Sequence, residues 1–224
     1  MLKENLDKIF SNIKNGNNLG EKVTVVGATK TVSVEVINQA VTLGLEVVAE
    51  NKVQEFNSKH GLIVGAREHF IGRLQTNKVK YLVGKVELIH SVDSIHLAEE
   101  INKQALKKGV TQNILIEINI SGESTKGGFS LLDAEETVKF IANTFNSICV
   151  KGLMTMLPHS DDNAYLASLA QKIRNLYDNL KNQGFAFEYL SMGMSNDYLT
   201  AIQNGSNMIR LGRIIFGERN YGEN

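Results

Sequence analysis

Residues 23–33 read Val-Thr-Val-Val-Gly-Ala-Thr-Lys-Thr-Val-Ser, a β-branched run that ends on Lys30 and turns directly into a helical pattern near residues 33–43. Branched side chains suit the pleated backbone of a strand better than a helix, where they crowd the preceding turn. The turn itself separates two folds. An open, doubly wound α/β sheet usually carries a glycine-rich G-x-G-x-x-G order after its first strand, and Gly-Ala-Thr-Lys-Thr-Val-Ser at residues 27–33 does not have it. The unit therefore reads as the first strand and turn of a closed barrel.

Outward from this stretch the same alternation continues. Strand candidates are Val23–Thr29, Glu46–Glu50, His69–Gly72, Glu87–Ser91, Ile114–Ile120, Ile148–Thr155, Glu188–Met192 and Asn207–Leu211, with helical patterns near 51–60, 75–83, 94–108, 132–145, 162–182 and 196–204. Leu2, Leu6, Ile9, Phe10 and Ile13 recur at helical spacing ahead of the first strand, and Asn15-Gly16-Asn17-Asn18 ends that helix; a last turn follows Ile214. Eight strand–helix units imply a parallel sheet closed on itself with helices outside, a (β/α)8 TIM barrel with an extra N-terminal helix. At 224 residues the chain is expected to form one domain over 1–224, since such barrels need roughly 200–250 residues.

The balance of charge narrows the partners. Twenty-four basic and 24 acidic residues cancel, so no global field draws the chain to nucleic acid or an anionic membrane. A single cysteine, Cys149, allows no intramolecular disulfide and suits a reducing cytoplasm, and the charged opening residues predict no signal peptide. His60, His69, His90, His96 and His159 show no ligand spacing, so no metal is expected.

In a barrel of this kind the chemistry sits where the strands end. Strand 1 ends on Lys30, strand 2 on Glu50-Asn51, strand 7 on Ser191 before Gly193-Met194-Ser195, and strand 8 on Arg210 before Gly212-Arg213. A lysine at the end of an apolar strand is partly desolvated, which exposes a nucleophilic amine able to form a Schiff base. Ser195 falls where a helix N-cap is expected, Gly212 lets the backbone approach an anion, and Arg213 adds a charge. Loops after strands 7 and 8 of a barrel often hold phosphate. The glycine-rich stretch 121–129 is not a P-loop and is a candidate lid.

The segments VVGATK (25–30), VVAENKVQEF (47–56), HFIGRLQTNKVK (69–80), LIHSVDS (88–94), INISGESTKGGF (118–129), GLMTML (152–157), LSMGMSNDY (190–198) and IRLGRIIFGER (209–219) run in this order. In them the chain resembles the pyridoxal phosphate homeostasis protein family, whose barrel is similar to the N-terminal domain of alanine racemase. The resemblance implies pyridoxal 5′-phosphate as cofactor, held as a Schiff base on Lys30. It implies that Asn51 lies near the ring, Ser195 and Gly212 with Arg213 at the phosphate, and Arg210 at the pyridine nitrogen. Ser191 and Met192 lie beside the same pocket, and Met156 takes the position where racemases place a histidine. Three departures stand out: Thr31-Val32 where many members have a proline nearby, Arg213 where threonine or serine is frequent, and GATK in place of AVSK.

Binding does not amount to catalysis. A guanidinium only donates hydrogen bonds, so a ring nitrogen facing Arg210 must accept and stays unprotonated, a poorer electron sink. A racemase also needs an acid–base group on each face of the ring, and Tyr198 is the nearest tyrosine in sequence to the mouth without being placed opposite Lys30. The resemblance therefore implies a carrier in vitamin B6 homeostasis, expected to be cytoplasmic and monomeric and to meet cofactor-accepting apoenzymes transiently. A small amino-acid racemase and a cofactor-free Schiff-base aldolase are the alternatives.

Overall fold

The computed structural model describes residues 1–123 and 127–217. Helix α1 (Leu2–Ile13) buries Leu6 and Ile9, as its spacing predicts. Then follow β1 (Thr24–Ala28), α2 (Val34–Thr42), β2 (Val47–Glu50), α3 (Val53–Lys59), β3 (Arg67–Phe70), a 3-10 helix (Thr76–Tyr81), β4 (Leu88–Val92), α4 (Ile95–Lys108) and β5 (Gln112–Asn119). The second half comprises β6 (Phe129–Ser130), α5 (Ala134–Thr144), β7 (Ile148–Thr155), α6 (Asn163–Asn182), β8 (Tyr189–Ser191), α7 (Tyr198–Gln203), β9 (Met208–Leu211) and α8 (Arg213–Phe216).

The strands pair in the order β4-β3-β2-β1-β9-β8-β7-β5, and β4 pairs with β5 to close the ring. Every pairing is parallel, from Val26 opposite Val47 to Ile89 opposite Ile114. This is the (β/α)8 barrel that the alternation predicts. Two details differ. The 75–83 pattern forms a 3-10 helix rather than an α-helix, with Val79 as its buried residue. A ninth strand, β6, was not expected. It pairs with β5 through Ile118–Phe129 and Asn119–Ser130. β5 runs eight residues against five in β4, and the last β4–β5 pair is Val92 with Ile116. The overhanging end of β5 would leave backbone groups unpaired, and β6 takes them up. The candidate lid therefore returns to the barrel wall at Phe129; its Ser124, Thr125 and Lys126 lie outside the described residues.

Side chains alternate across each strand. Val26, Val47, Leu88, Leu115, Met154 and Met208 form a small core inside the barrel, while a larger cluster lies between the β3–β8 wall and α3–α6. A third cluster joins α1, α2, α7 and α8 to β1 and β9. At the N-terminal end of the barrel the buried Arg174 of α6 donates to both Glu21 oxygens (2.6 and 3.1 Å) and to the Gly205 carbonyl (2.9 Å). It thus ties together the chain segments that enter the neighbouring strands β1 and β9. Among the described residues no helix is long and apolar enough to cross a membrane.

Candidate functional site

Lys30 follows β1 by two residues and is half-buried. It lines a cleft of about 230 Å³ together with Ala28, Ser33, Gly212, Arg213 and Phe216. The parallel pairing of β1 with β9 brings the two ends together, since Gly27 lies opposite Leu211. Gly212 caps α8, its carbonyl accepting from the amides of Ile215 (2.9 Å) and Phe216 (3.0 Å), and Arg213 opens that helix, exposed. A Cβ on Gly212 would meet the Ala28 oxygen at 3.4 Å, an ordinary contact, so the fold itself has room for a side chain there.

Ser195 and Asn51 do not line this cleft. Ser195 lies, half-buried, in the turn that leads into α7. The expected N-cap is corrected by two residues: Asp197 is the cap, and its carboxylate accepts the Met194 amide at 2.5 Å. Gly193, at φ +103°, sits so close to α7 that a Cβ would lie 2.7 Å from the Ala201 Cβ, so this turn under the helix requires glycine. Asn51 stands at the end of β2, and its Oδ1 is buried with no hydrogen-bond partner among the described residues. Met192 is fully buried in the larger core cluster, and its amide donates to the Met208 carbonyl at 3.0 Å.

Arg210 and Ser191 are joined directly. The buried guanidinium donates through one nitrogen to the Ser191 hydroxyl (2.7 Å) and carbonyl (3.0 Å), and through the other to the Thr155 carbonyl (2.9 Å). Burial brings the Arg210 pKa down to about 10 against the opposing charges of Glu117 and Asp197, so it stays a cation at neutral pH. Behind Ser191 lies a chain of polar groups through the barrel interior. His90 Nδ1 is 3.2 Å from the Ser191 Oγ, and His69 Nδ1 is 3.0 Å from His90 Nε2. His69 Nε2 stands 3.7 Å from Glu87 Oε1 at the opposite end.

Hydrogen counting orders this chain. Arg210 can only donate, so the Ser191 hydroxyl accepts from it and gives its own hydrogen to His90 Nδ1. His90 then carries its proton on Nε2 and donates to His69 Nδ1, which leaves the His69 proton on Nε2, towards Glu87. Both rings are held neutral, because burial pushes both pKa values down, His90 well below the usual range.

Glu117 of β5 shares this interior and was missed in the sequence, as were His69 and His90. Glu117 breaks an apolar run, Ile116-Glu117-Ile118, and that break is the signal that would have found it; His69 only opens His69-Phe70-Ile71 and His90 only closes Leu88-Ile89-His90, next to Glu68 and Ser91. Burial, then the Asp93 charge, raises the Glu117 pKa to about 7, while Arg210 and Arg73 act the other way. A folded-state pKa above the ordinary 4.5 penalises the folded, ionised protein. The penalty is absent below about pH 4.5, grows as pH rises and is complete above about pH 7. Glu117→Gln removes it. The variant is expected to gain on the wild type by on the order of 3 kcal/mol between pH 4.5 and 8, read from urea unfolding at each pH. A stability difference that stays flat across that range contradicts the buried carboxylate.

Two further residues of interest lie elsewhere. The Tyr198 hydroxyl accepts from Asn12 Nδ2 of α1 at 2.8 Å, and its ring belongs to the core under α1 and α2. Cys149 is half-buried near the start of β7, at the opposite end of the strand from Thr155.

Residues 5–220 match the family model described as the N-terminal domain of alanine racemase. A "Pyridoxal phosphate homeostasis protein" of Aquifex aeolicus is 42% identical over 97% of this chain and 95% of its own length. PipY of Synechococcus elongatus, whose structure was solved with PLP bound, is 26% identical at a TM-score of 0.84, covering 97% of this chain and 100% of that one. Alanine racemase of Clostridium difficile in complex with cycloserine shares the fold alone. It is 19% identical at a TM-score of 0.77, over 97% of this chain and 60% of the racemase chain. On these matches the chain belongs to the alanine racemase N-terminal domain family and, within it, to the pyridoxal phosphate homeostasis proteins.

Proposed function

We propose that this protein binds pyridoxal 5′-phosphate at the C-terminal mouth of its barrel and serves vitamin B6 homeostasis as a carrier of the cofactor. The observation that carries the reading is the convergence of Lys30 with Gly212 and Arg213 on one cleft, at the end of the strand that also carries the buried, pinned Arg210. The residues fit the group. The orphaned Asn51 Oδ1 is an acceptor waiting for a donor. Gly212 leaves space that the fold does not require, which suits close approach of a phosphate to the backbone. Lys30, Asn51, Ser195, Arg210, Gly212 and Arg213 would hold it, while Ser191 steadies Arg210 from behind and Met192, its side chain in the core outside the barrel, contributes only to the strand end.

When bound, pyridoxal phosphate supplies an aldehyde that condenses with an amine such as that of Lys30. Arg210 stays charged at neutral pH and offers only donors, so a ring nitrogen facing it would have to accept and would stay unprotonated. The Ser191–His90–His69 chain orients the Ser191 hydroxyl so that its lone pair receives the guanidinium and holds it in place. Tyr198 packs in the core under α1 and α2 and does not line the cleft, so it is not placed as a second acid–base group, which favours holding over turnover. The working unit in this reading is a single domain over residues 1–224, a cytoplasmic monomer that passes the cofactor to apoenzymes by transient contact.

The test is borohydride reduction of protein mixed with pyridoxal phosphate, followed by mass spectrometry. A pyridoxyl adduct on Lys30, lost in Lys30→Ala, is the expected result; a colourless protein with no adduct removes the cofactor reading. Incubation with each common L-amino acid and chiral chromatography tests the carrier role. Steady formation of a D-isomer that requires Lys30 would replace it with an amino-acid racemase.

A further inference from the structure

Thr31 has φ +65°, the one non-glycine residue with positive φ among the described residues. For a β-branched side chain that backbone is strained, and it persists only where surrounding contacts enforce it. Here α3 enforces it. Glu55 Oε2 accepts the Thr31 amide at 2.8 Å, and Lys59 Nζ donates to the Thr29 carbonyl at 2.8 Å. These are the two peptide groups that flank Lys30. The plane carrying the Thr29 carbonyl defines the φ of Lys30, and the plane carrying the Thr31 amide defines its ψ. A charged side chain from the same helix, one turn apart, holds each plane.

The two clamping residues are themselves held. Lys59 Nζ lies 2.7 Å from Glu50 Oε1 and 3.5 Å from Glu55 Oε2, and the Thr29 hydroxyl donates to the same Glu50 oxygen at 2.7 Å. The Lys59 and Glu50 side chains are only 11% and 4% exposed. A buried ion pair of this kind contributes little net stability over an apolar pair of similar volume, so its value lies in the geometry it sets. We infer that Glu55 and Lys59, anchored by Glu50, are positioning residues that set the backbone of Lys30 and so aim its amine into the mouth. This rests on the reading of Lys30 as the cofactor anchor, and it adds to the site a helix that contributes no lining residue to the cleft and acts through the backbone on either side of Lys30.

The test uses the full chain and variants Glu55→Ala, Glu55→Gln and Lys59→Met, with two readouts. The first needs no cofactor: competitive acetylation by trace acetic anhydride across pH, read by mass spectrometry at Lys30 against the exposed Lys3. The second is titration with pyridoxal phosphate, followed by absorbance. Glu55→Ala and Lys59→Met are expected to change the Lys30 acetylation rate by about threefold or more. They should weaken cofactor binding by about tenfold or more, the scale of a reacting group displaced by a fraction of an ångström. Glu55→Gln keeps an acceptor oxygen for the Thr31 amide and is expected to restore both towards wild type. A fall in thermal stability with Lys30 reactivity and cofactor affinity unchanged overturns the inference, because that is what a purely structural pair would do. Absence of a pyridoxyl adduct in the wild type, with acetylation altered as expected, overturns the cofactor reading and leaves the clamp standing.

Discussion

Gly72→Ala is expected to destabilise the protein by about 3 kcal/mol or more and to abolish cofactor binding at the mouth. A Cβ on Gly72 would overlap the carbonyl oxygen of Asn51 and lie 2.6 and 2.7 Å from its carbonyl carbon and Cα. The clash is backbone against backbone, so no side-chain rotation relieves it. Nor can Gly72 move away freely, because its own carbonyl accepts the Ser91 hydroxyl at 2.5 Å. The ends of β2 and β3 must part, and Asn51 moves with them. For a chain of this size the loss corresponds to a fall of roughly 6–12 °C in Tm. Thermal unfolding and pyridoxal phosphate titration read the two effects. A variant within 2 °C of the wild type would mean that the β2–β3 ends are looser than this packing implies.

Arg210→Met is expected to be comparably severe, at about 3–5 kcal/mol, the usual result of removing one charge from a buried set of partners. Methionine fills part of the volume but leaves the Ser191 and Thr155 carbonyls without their donor inside the barrel. It also removes the cation that opposes the rise of the Glu117 pKa, so Glu117 is expected to titrate above about 7. The loss should therefore grow from pH 5 to pH 8, as the carboxylate is asked to ionise without Arg210. Arg210→Lys is not a conservative alternative, since one ammonium cannot reproduce the two-nitrogen fork that spans β8 and β7. Unfolding midpoints in urea at both pH values read the effect, and a loss below about 1 kcal/mol, independent of pH, would sink the structural role assigned to the guanidinium.

Sequence alone determined the barrel. Its period-2 and period-3.6 runs are local properties, set by which residues tolerate a pleat or a helix, and they survive without knowledge of neighbours. The strand ends were legible for the same reason: Lys30, Asn51, Ser191, Arg210 and Gly212 each follow an apolar run that must stop at the rim. The cap falls on Asp197, two residues past Ser195, because Ser195 and Asp197 are both good capping residues and only the path of the turn, with the Asp197 carboxylate on the Met194 amide, distinguishes them. The overhang of β5 that recruits β6 depends on the unequal length of a strand paired across the ring.

Direction inside the barrel was decided by tertiary structure alone. Glu117 looks like a lapse in an apolar strand, and His69 and His90 like the polar edges of short ones, until closure turns them inward and puts them in line with Arg210. Lys59 looks like a surface lysine until α3 docks and places it against Glu50 and Thr29. The physical reason is common to all of them. Burial and hydrogen-bond partnership are properties of pairs of elements distant in sequence, and the low dielectric that shifts Glu117 and silences the two histidines exists only once the ring is closed.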